Sequence, residues 1–200
     1  MESVGFKEWS AVCEALERGR QSILLRKGGI AEGRDGFSFK YEKFFLFPTW
    51  FHEQSEKVRD KTIELRQTDP GNIEIRLWAK LELSRTVVSR VVAERLEPLH
   101  ILQPEVVRDR FAYDQAPGLH VAFLRVFRVV PSWTFPNEKR YGGCRSWVNL
   151  SEPPMNLAFE PVLSEVEHEK ERTRFLAIVG EGTNESVRGT TEIPSPKSSP

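Results

Sequence analysis

Ile73-Glu74-Ile75-Arg76-Leu77-Trp78-Ala79-Lys80-Leu81-Glu82-Leu83 is the stretch whose pattern sets the fold class. Ile73, Ile75, Leu77, Ala79, Leu81 and Leu83 alternate with Glu74, Arg76, Trp78, Lys80 and Glu82. That is the period of a strand with one buried and one wet face. Clean alternation of this kind belongs to antiparallel sheets, since parallel strands are usually buried on both faces. Asp69-Pro70-Gly71-Asn72, just before it, is a turn.

Downstream, Val88, Val91, Val92 and Leu96 predict a helix within 87–96, although their β-branched residues also suit a strand. Pro104 stands at the first position of a short helix, Glu105 to Tyr113. Leu119 to Val130 is apolar on both faces, which predicts a central strand ended by Pro131. Ser146 to Leu150 is a last short strand, and Pro161 opens a charged helix running to about Arg174. From Gly180 the chain is Gly, Ser, Thr, Glu and Pro, too polar to bury itself, and residues 180–200 are expected to be a disordered tail.

Upstream, a polar helix is expected over Ser55–Arg66. The apolar run Phe44-Phe45-Leu46-Phe47 is expected to stop at Pro48, with a helical or irregular segment from Thr49. Phe37, Phe39 and Tyr41 alternate at strand period, and Glu32 to Gly36 reads as a loop. Ser22 to Arg26 is a strand entering a Lys27-Gly28-Gly29 turn. Phe6, Trp9, Cys13 and Leu16 recur at three and four, a helix pattern that Gly19 ends as a left-handed cap.

Strands with non-alternating helices between them predict an α+β domain with a mixed, mainly antiparallel curved sheet and packed helices, spanning 1–179. The 200 residues carry 29 Lys/Arg and 29 Asp/Glu, so net charge gives no case for a nucleic-acid partner. Residues 1–150 hold 24 basic and 20 acidic groups, however, which leaves the folded body at +4 and permits a basic face. Cys13 and Cys144 are too few for a structural zinc site or a disulfide framework. No apolar run reaches membrane-span length and the N-terminus lacks a signal-peptide pattern, so no membrane partner is expected and the cytoplasm is the expected compartment.

Arg26-Lys27-Gly28-Gly29 is the leading candidate for chemistry. A strand end delivering two cations beside exposed backbone amides can hold an anion; a plain turn with solvated charges is the alternative. Arg110 and Arg125 are further candidates, because an Arg on an apolar face needs a carboxylate or a bound anion. Tyr141-Gly142-Gly143-Cys144-Arg145-Ser146-Trp147 brings a thiol, a hydroxyl and a cation together; a nucleophilic Cys144 would need a base such as His52, and a tight turn is the plainer reading. No metal-ligand spacing is present, so no metal site is expected. Asp69, Glu74 and Lys80 only approximate a metal-dependent nuclease pattern, which alternating charge on a wet strand face also explains. Trp50 and Trp147, near cations, suit base stacking or a core rim.

Several stretches in order resemble one family: Lys7-Glu8-Trp9, Leu25-Arg26-Lys27-Gly28-Gly29-Ile30, Phe45-Leu46-Phe47-Pro48-Thr49 with His52, Arg110-Phe111, Leu124-Arg125-Val126 and the Tyr141–Trp147 run. The resemblance, over residues 5–155, is to an uncharacterised bacterial domain-of-unknown-function family numbered 1802. It implies no activity or cofactor, but it implies that the scattered cations, His52 and Cys144 belong to one domain. Within the α+β class, the preferred form is a small barrel resembling the PUA-like (pseudouridine-synthase-associated) RNA-binding fold. The leading functional expectation is an anion-binding module for nucleic acid or nucleotide, using Arg26, Lys27, Gly28, Gly29, Arg110 and Arg125, with His52, Tyr141, Cys144 and Trp147 as neighbours. The alternatives are a metal-dependent nuclease or phosphoester hydrolase, and a protein-interaction domain docking through its acidic helix and tail.

Overall fold

The computed structural model describes residues 3–27, 37–63, 69–113 and 117–180, excluding the side chains of His52 and Glu53. Seven strands form one mixed, mainly antiparallel sheet: β1 (Val4–Trp9), β2 (Ile23–Arg26), β3 (Lys43–Thr49), β4 (Asn72–Val87), β5 (Leu119–Pro136), β6 (Trp147–Asn149) and β7 (Ala158–Pro161). Their order is β2-β5-β4-β3-β1-β6, with β7 also on β5. β1 and β3 are parallel, and the other pairs are antiparallel. Four helices pack on the sheet: α1 (Ser10–Glu17), α2 (Arg90–Arg95), α3 (Pro104–Phe111) and α4 (Glu165–Val179). The expected α+β class with a curved, mainly antiparallel sheet is what the chain forms.

The alternating stretch is a strand, as its period requires, but its inward residues do not share one core. The ladder between β4 and β5 shifts register between Ile75 and Leu77. Leu77, Ala79 and Leu81 enter the main core with α1, α2, α3 and α4, whereas Ile73 and Ile75 enter a second core with Phe45, Phe47, Trp133, Phe135 and Tyr141. A bulge re-aims the side chains that follow it. The apolar run of β3 has the same cause: Phe44 and Leu46 fill the main core, while Phe45 and Phe47 fill the second. Each face of that strand is a core face, so no polar residue alternates.

The sheet curls until its two edges meet. Arg26 at the end of β2 donates from Nε to Ser146 Oγ, just before β6, at 3.1 Å. Phe6 of β1 packs against Phe37, Phe39, Phe44 and Trp147 inside the curl.

Several local expectations are corrected. Phe6 and Trp9 lie in β1, and the helix starts only at Ser10; their spacing of three matches a helix by accident of a strand running straight into one. The cap at Gly19 is present: φ is 67°, Gly19 N bonds Leu16 O and Arg20 N bonds Ala15 O. This is the paired C-terminal motif that favours glycine. Pro48 and Pro131 do not stop their strands. β4 leaves β3 after Phe45, so Pro48 has only β1 beside it, and Pro131 falls where the ladder to β4 jumps from Arg128 to Trp133. A missing N–H costs no ladder bond at either place. Residues 37–42 form no strand, although Phe37 and Phe39 are buried. Over residues 56–63 there is no helix; a bridge, Val58 to Leu102, takes its place. Pro161 ends β7, and α4 begins at Glu165 behind a capping box of Ser164 and Glu167. The Lys27-Gly28-Gly29 turn beyond Lys27, the 32–36 loop and the tail beyond Gly180 lie outside the described residues.

Candidate anion-binding site

β2 and α3 bring two guanidinium groups to one end of the curled sheet. Arg110 Nη1 donates to Leu25 O at 2.8 Å, the carbonyl next to Arg26. Its guanidinium lies over the Trp9 ring at 4.5 Å, and that of Arg26 lies over the Phe6 ring at 5.4 Å. Both arginines are half-buried. Among the described residues no carboxylate forms an ion pair with either. Burial lowers the pKa of Arg110; Glu8 opposes that shift and Arg26 adds to it. Glu8 is buried, and its carboxylate accepts from Trp9 N at 2.8 Å.

The placement of Trp9 follows from local contacts. Gln54, fully buried, donates to Thr49 O and accepts from Ala11 N, so it caps α1 where Trp9 offers no side-chain cap. Trp9 is thus held between α1 and the single helical turn at 52–55, with Phe51 against its edge at 4.8 Å.

Beside this pair, the run Gly142–Ser146 passes over Lys7. Lys7 Nζ donates to Gly142 O (3.1 Å) and Gly143 O (3.0 Å), and Lys7 N donates to Ser146 O. The Lys7 pKa is lowered, chiefly by burial; Cys144 opposes this, and Arg145 and Arg26 add to it. Lys7, Arg26, Arg110 and Arg145 are therefore neighbours in one cluster of cations, which also holds the buried Glu8 carboxylate.

The sequence candidates are distributed as follows. Arg26, Arg110, Cys144 and Trp147 gather around this end; Trp147 packs on Phe6, and its indole N–H donates to Ser38 O at 3.3 Å. Cys144 is exposed. Lys27 is half-buried at the end of β2, and Gly28 and Gly29 lie outside the described residues. His52 starts the helical turn after Phe51, but its side chain is outside the description. Tyr141 is buried in the second core against Phe47 and Phe135. Arg125 stands apart. Arg26 pairs with His120 across the ladder, and Arg125 is five residues farther along β5, about 17 Å at ~3.3 Å per residue. Its guanidinium meets Glu165 at 2.6 Å and Ser164 O at 3.4 Å, which ties α4 to the sheet. Among the described residues, no cluster of three or more potential metal ligands occurs.

Sequence reasoning did not assign Lys7, Glu8, Trp9 or Arg145 to the site. The signal was a Lys-Glu pair inside an otherwise apolar strand, because a charge at such a position needs a partner.

The fold and this cationic end define an α+β domain with a curled sheet and, at the meeting of its edges, guanidinium groups without an ion-paired carboxylate among the described residues. The chain belongs to the family described as Domain of unknown function (DUF1802), whose model matches residues 5–174. A search of curated proteins found no match. Among solved structures, the chain is similar to an ASCH protein from Zymomonas mobilis, with 15% identity and a TM-score of 0.40 over 86% of this chain and 94% of that one. Two point mutants of the same protein match with 14% and 15% identity and TM-scores of 0.42 and 0.41, over 86% of this chain and 95% and 98% of theirs. No helix among the described residues is long and apolar enough to cross a membrane.

Proposed function

We propose that the domain binds phosphate-bearing ligands, single-stranded nucleic acid foremost, at the Arg26–Arg110 end of the sheet. The observation that carries this reading is two adjacent half-buried guanidinium groups without an ion-paired carboxylate among the described residues. Like charges brought together out of water repel, and an anion between them removes the repulsion. Each guanidinium lies over a ring and donates one hydrogen bond to the fold, which limits its rotation and leaves further donors for phosphate oxygens. Trp9, already carrying Arg110 on its face, fixes the direction of one fork.

The test is anisotropy of labelled single-stranded RNA and DNA across a salt series. Binding should weaken as salt rises, because phosphate contacts release counterions. Arg26→Met with Arg110→Met should weaken it by at least about tenfold, roughly 1.4 kcal/mol. Affinity that ignores salt, or survives both substitutions, refutes the reading.

A further inference from the structure

Across the Gly142–Ser146 run from the two arginines lies a cleft of about 780 Å³. It opens between the end of β3, the turn before β4 and the segment after β5. Phe47, Ile73 and Tyr141 of the second core line it, Trp50 stands at its rim, 44% exposed, and Lys7 and Gly142 form its inner wall. That volume is in the range of small-molecule sites, which join aromatic walls to a few polar groups.

Lys7 is the unusual component. It is 7% exposed, yet no carboxylate pairs with it among the described residues. Two of the three ammonium N–H bonds go to Gly142 O and Gly143 O. The ammonium also lies over the Phe47 ring, 5.9 Å from its centroid, and a buried cation without an ion-paired carboxylate gains from an added anion. The opposite rim carries Asp69, tied into its own turn by Gly71 and Asn72, Glu74, and Glu138, which is ion-paired with Arg140, with Lys139 beside them, so acids outnumber bases in that part of the lining. The cleft is thus positive at its inner wall, negative at its rim and aromatic between.

We propose that this cleft binds a small planar aromatic carboxylate, with the carboxylate on Lys7 and the ring between Phe47 and Trp50. An aromatic ring matches the flat walls, and a single negative charge completes the Lys7 coordination while the rim acids reject a second. The cleft shares Lys7 with the cationic cluster, but the proposal stands without the phosphate-binding reading.

The probes are 2-naphthoate and its neutral isostere 2-naphthamide, titrated into the full chain by calorimetry and by tryptophan fluorescence up to millimolar concentration. Naphthoate should bind, and the amide should bind about tenfold more weakly or less. Lys7→Met should erase the difference between the two. Trp50→Ala, at an exposed position, should weaken both ligands while leaving salt-dependent oligonucleotide binding unchanged. Equal affinity for acid and amide overturns the proposal whether or not Lys7→Met folds. So does an absence of naphthoate binding, or binding that Trp50→Ala does not alter.

Discussion

Two groups of buried arginine in this molecule differ in one respect. Arg76, at the β4 bulge, forms ion pairs with Glu14 and with Glu17, the latter at 2.9 Å, and Arg125 meets Glu165. Arg26 and Arg110 lie instead over aromatic rings, with backbone and hydroxyl acceptors and no ion pair among the described residues. The first group has its counter-charge built into the fold, so its chemistry ends in structure. The second has a positive field left over. What separates the two groups is the absence, among the described residues, of an ion-paired carboxylate in the second, with Glu8 acting on Arg110 only as a neighbouring charge.

The comparison can be broken most strongly by acid. Burial first, then Arg59 and Arg110, hold the His100 pKa at about 3 against an ordinary 6.5. Above pH 6.5 the imidazole is neutral folded and unfolded. Between 6.5 and 3 only the unfolded chain takes up the proton, so stability falls as pH drops through that window, by at most about 5 kcal/mol. Chemical denaturation across this range should show the loss, and His100→Asn should flatten it. Arg110→Met should shrink it slightly, because one repelling charge is gone.

Arg76→Met comes next. It leaves two acids of α1 facing a low-dielectric site, and should cost about 3–5 kcal/mol in denaturant midpoints. Arg125→Met should cost less, about 1 kcal/mol, because Glu165 is 88% exposed and water can take it up. Smallest of all, Arg26→Met and Arg110→Met should each change stability by less than about 1 kcal/mol. They should each reduce the salt slope of single-strand binding by about 0.7. A stability loss at Arg26 or Arg110 as large as at Arg76 would erase the distinction.

Much of the fold was legible because backbone period is local. The strand over 73–83, the turn at 69–72, the Gly19 cap and the Pro104 helix start each depend on a few neighbours in the chain, and each formed, although Trp78, on the expected wet face of the strand, is buried in the second core. The errors fell where a local rule met a distant partner. Phe6 was drawn into β1 by β3 and β6, and two prolines stayed in strands because no neighbour needed their N–H. At the site, Arg26 was visible as a cation at the end of an apolar strand, and Arg110 as one of a group of arginines. Their proximity was not, since 83 residues of intervening chain set it.

By itself, the sequence determined the class of the protein, an α+β domain with a mainly antiparallel sheet, because alternation and turn chemistry are properties of short segments. The tertiary structure alone decided which arginines were neutralised. Arg125 faces Glu165 and Arg26 faces Ser146 because the sheet curls and α4 docks where it does. Charge neutralisation depends on distance through space, and no spacing along the chain encodes that distance.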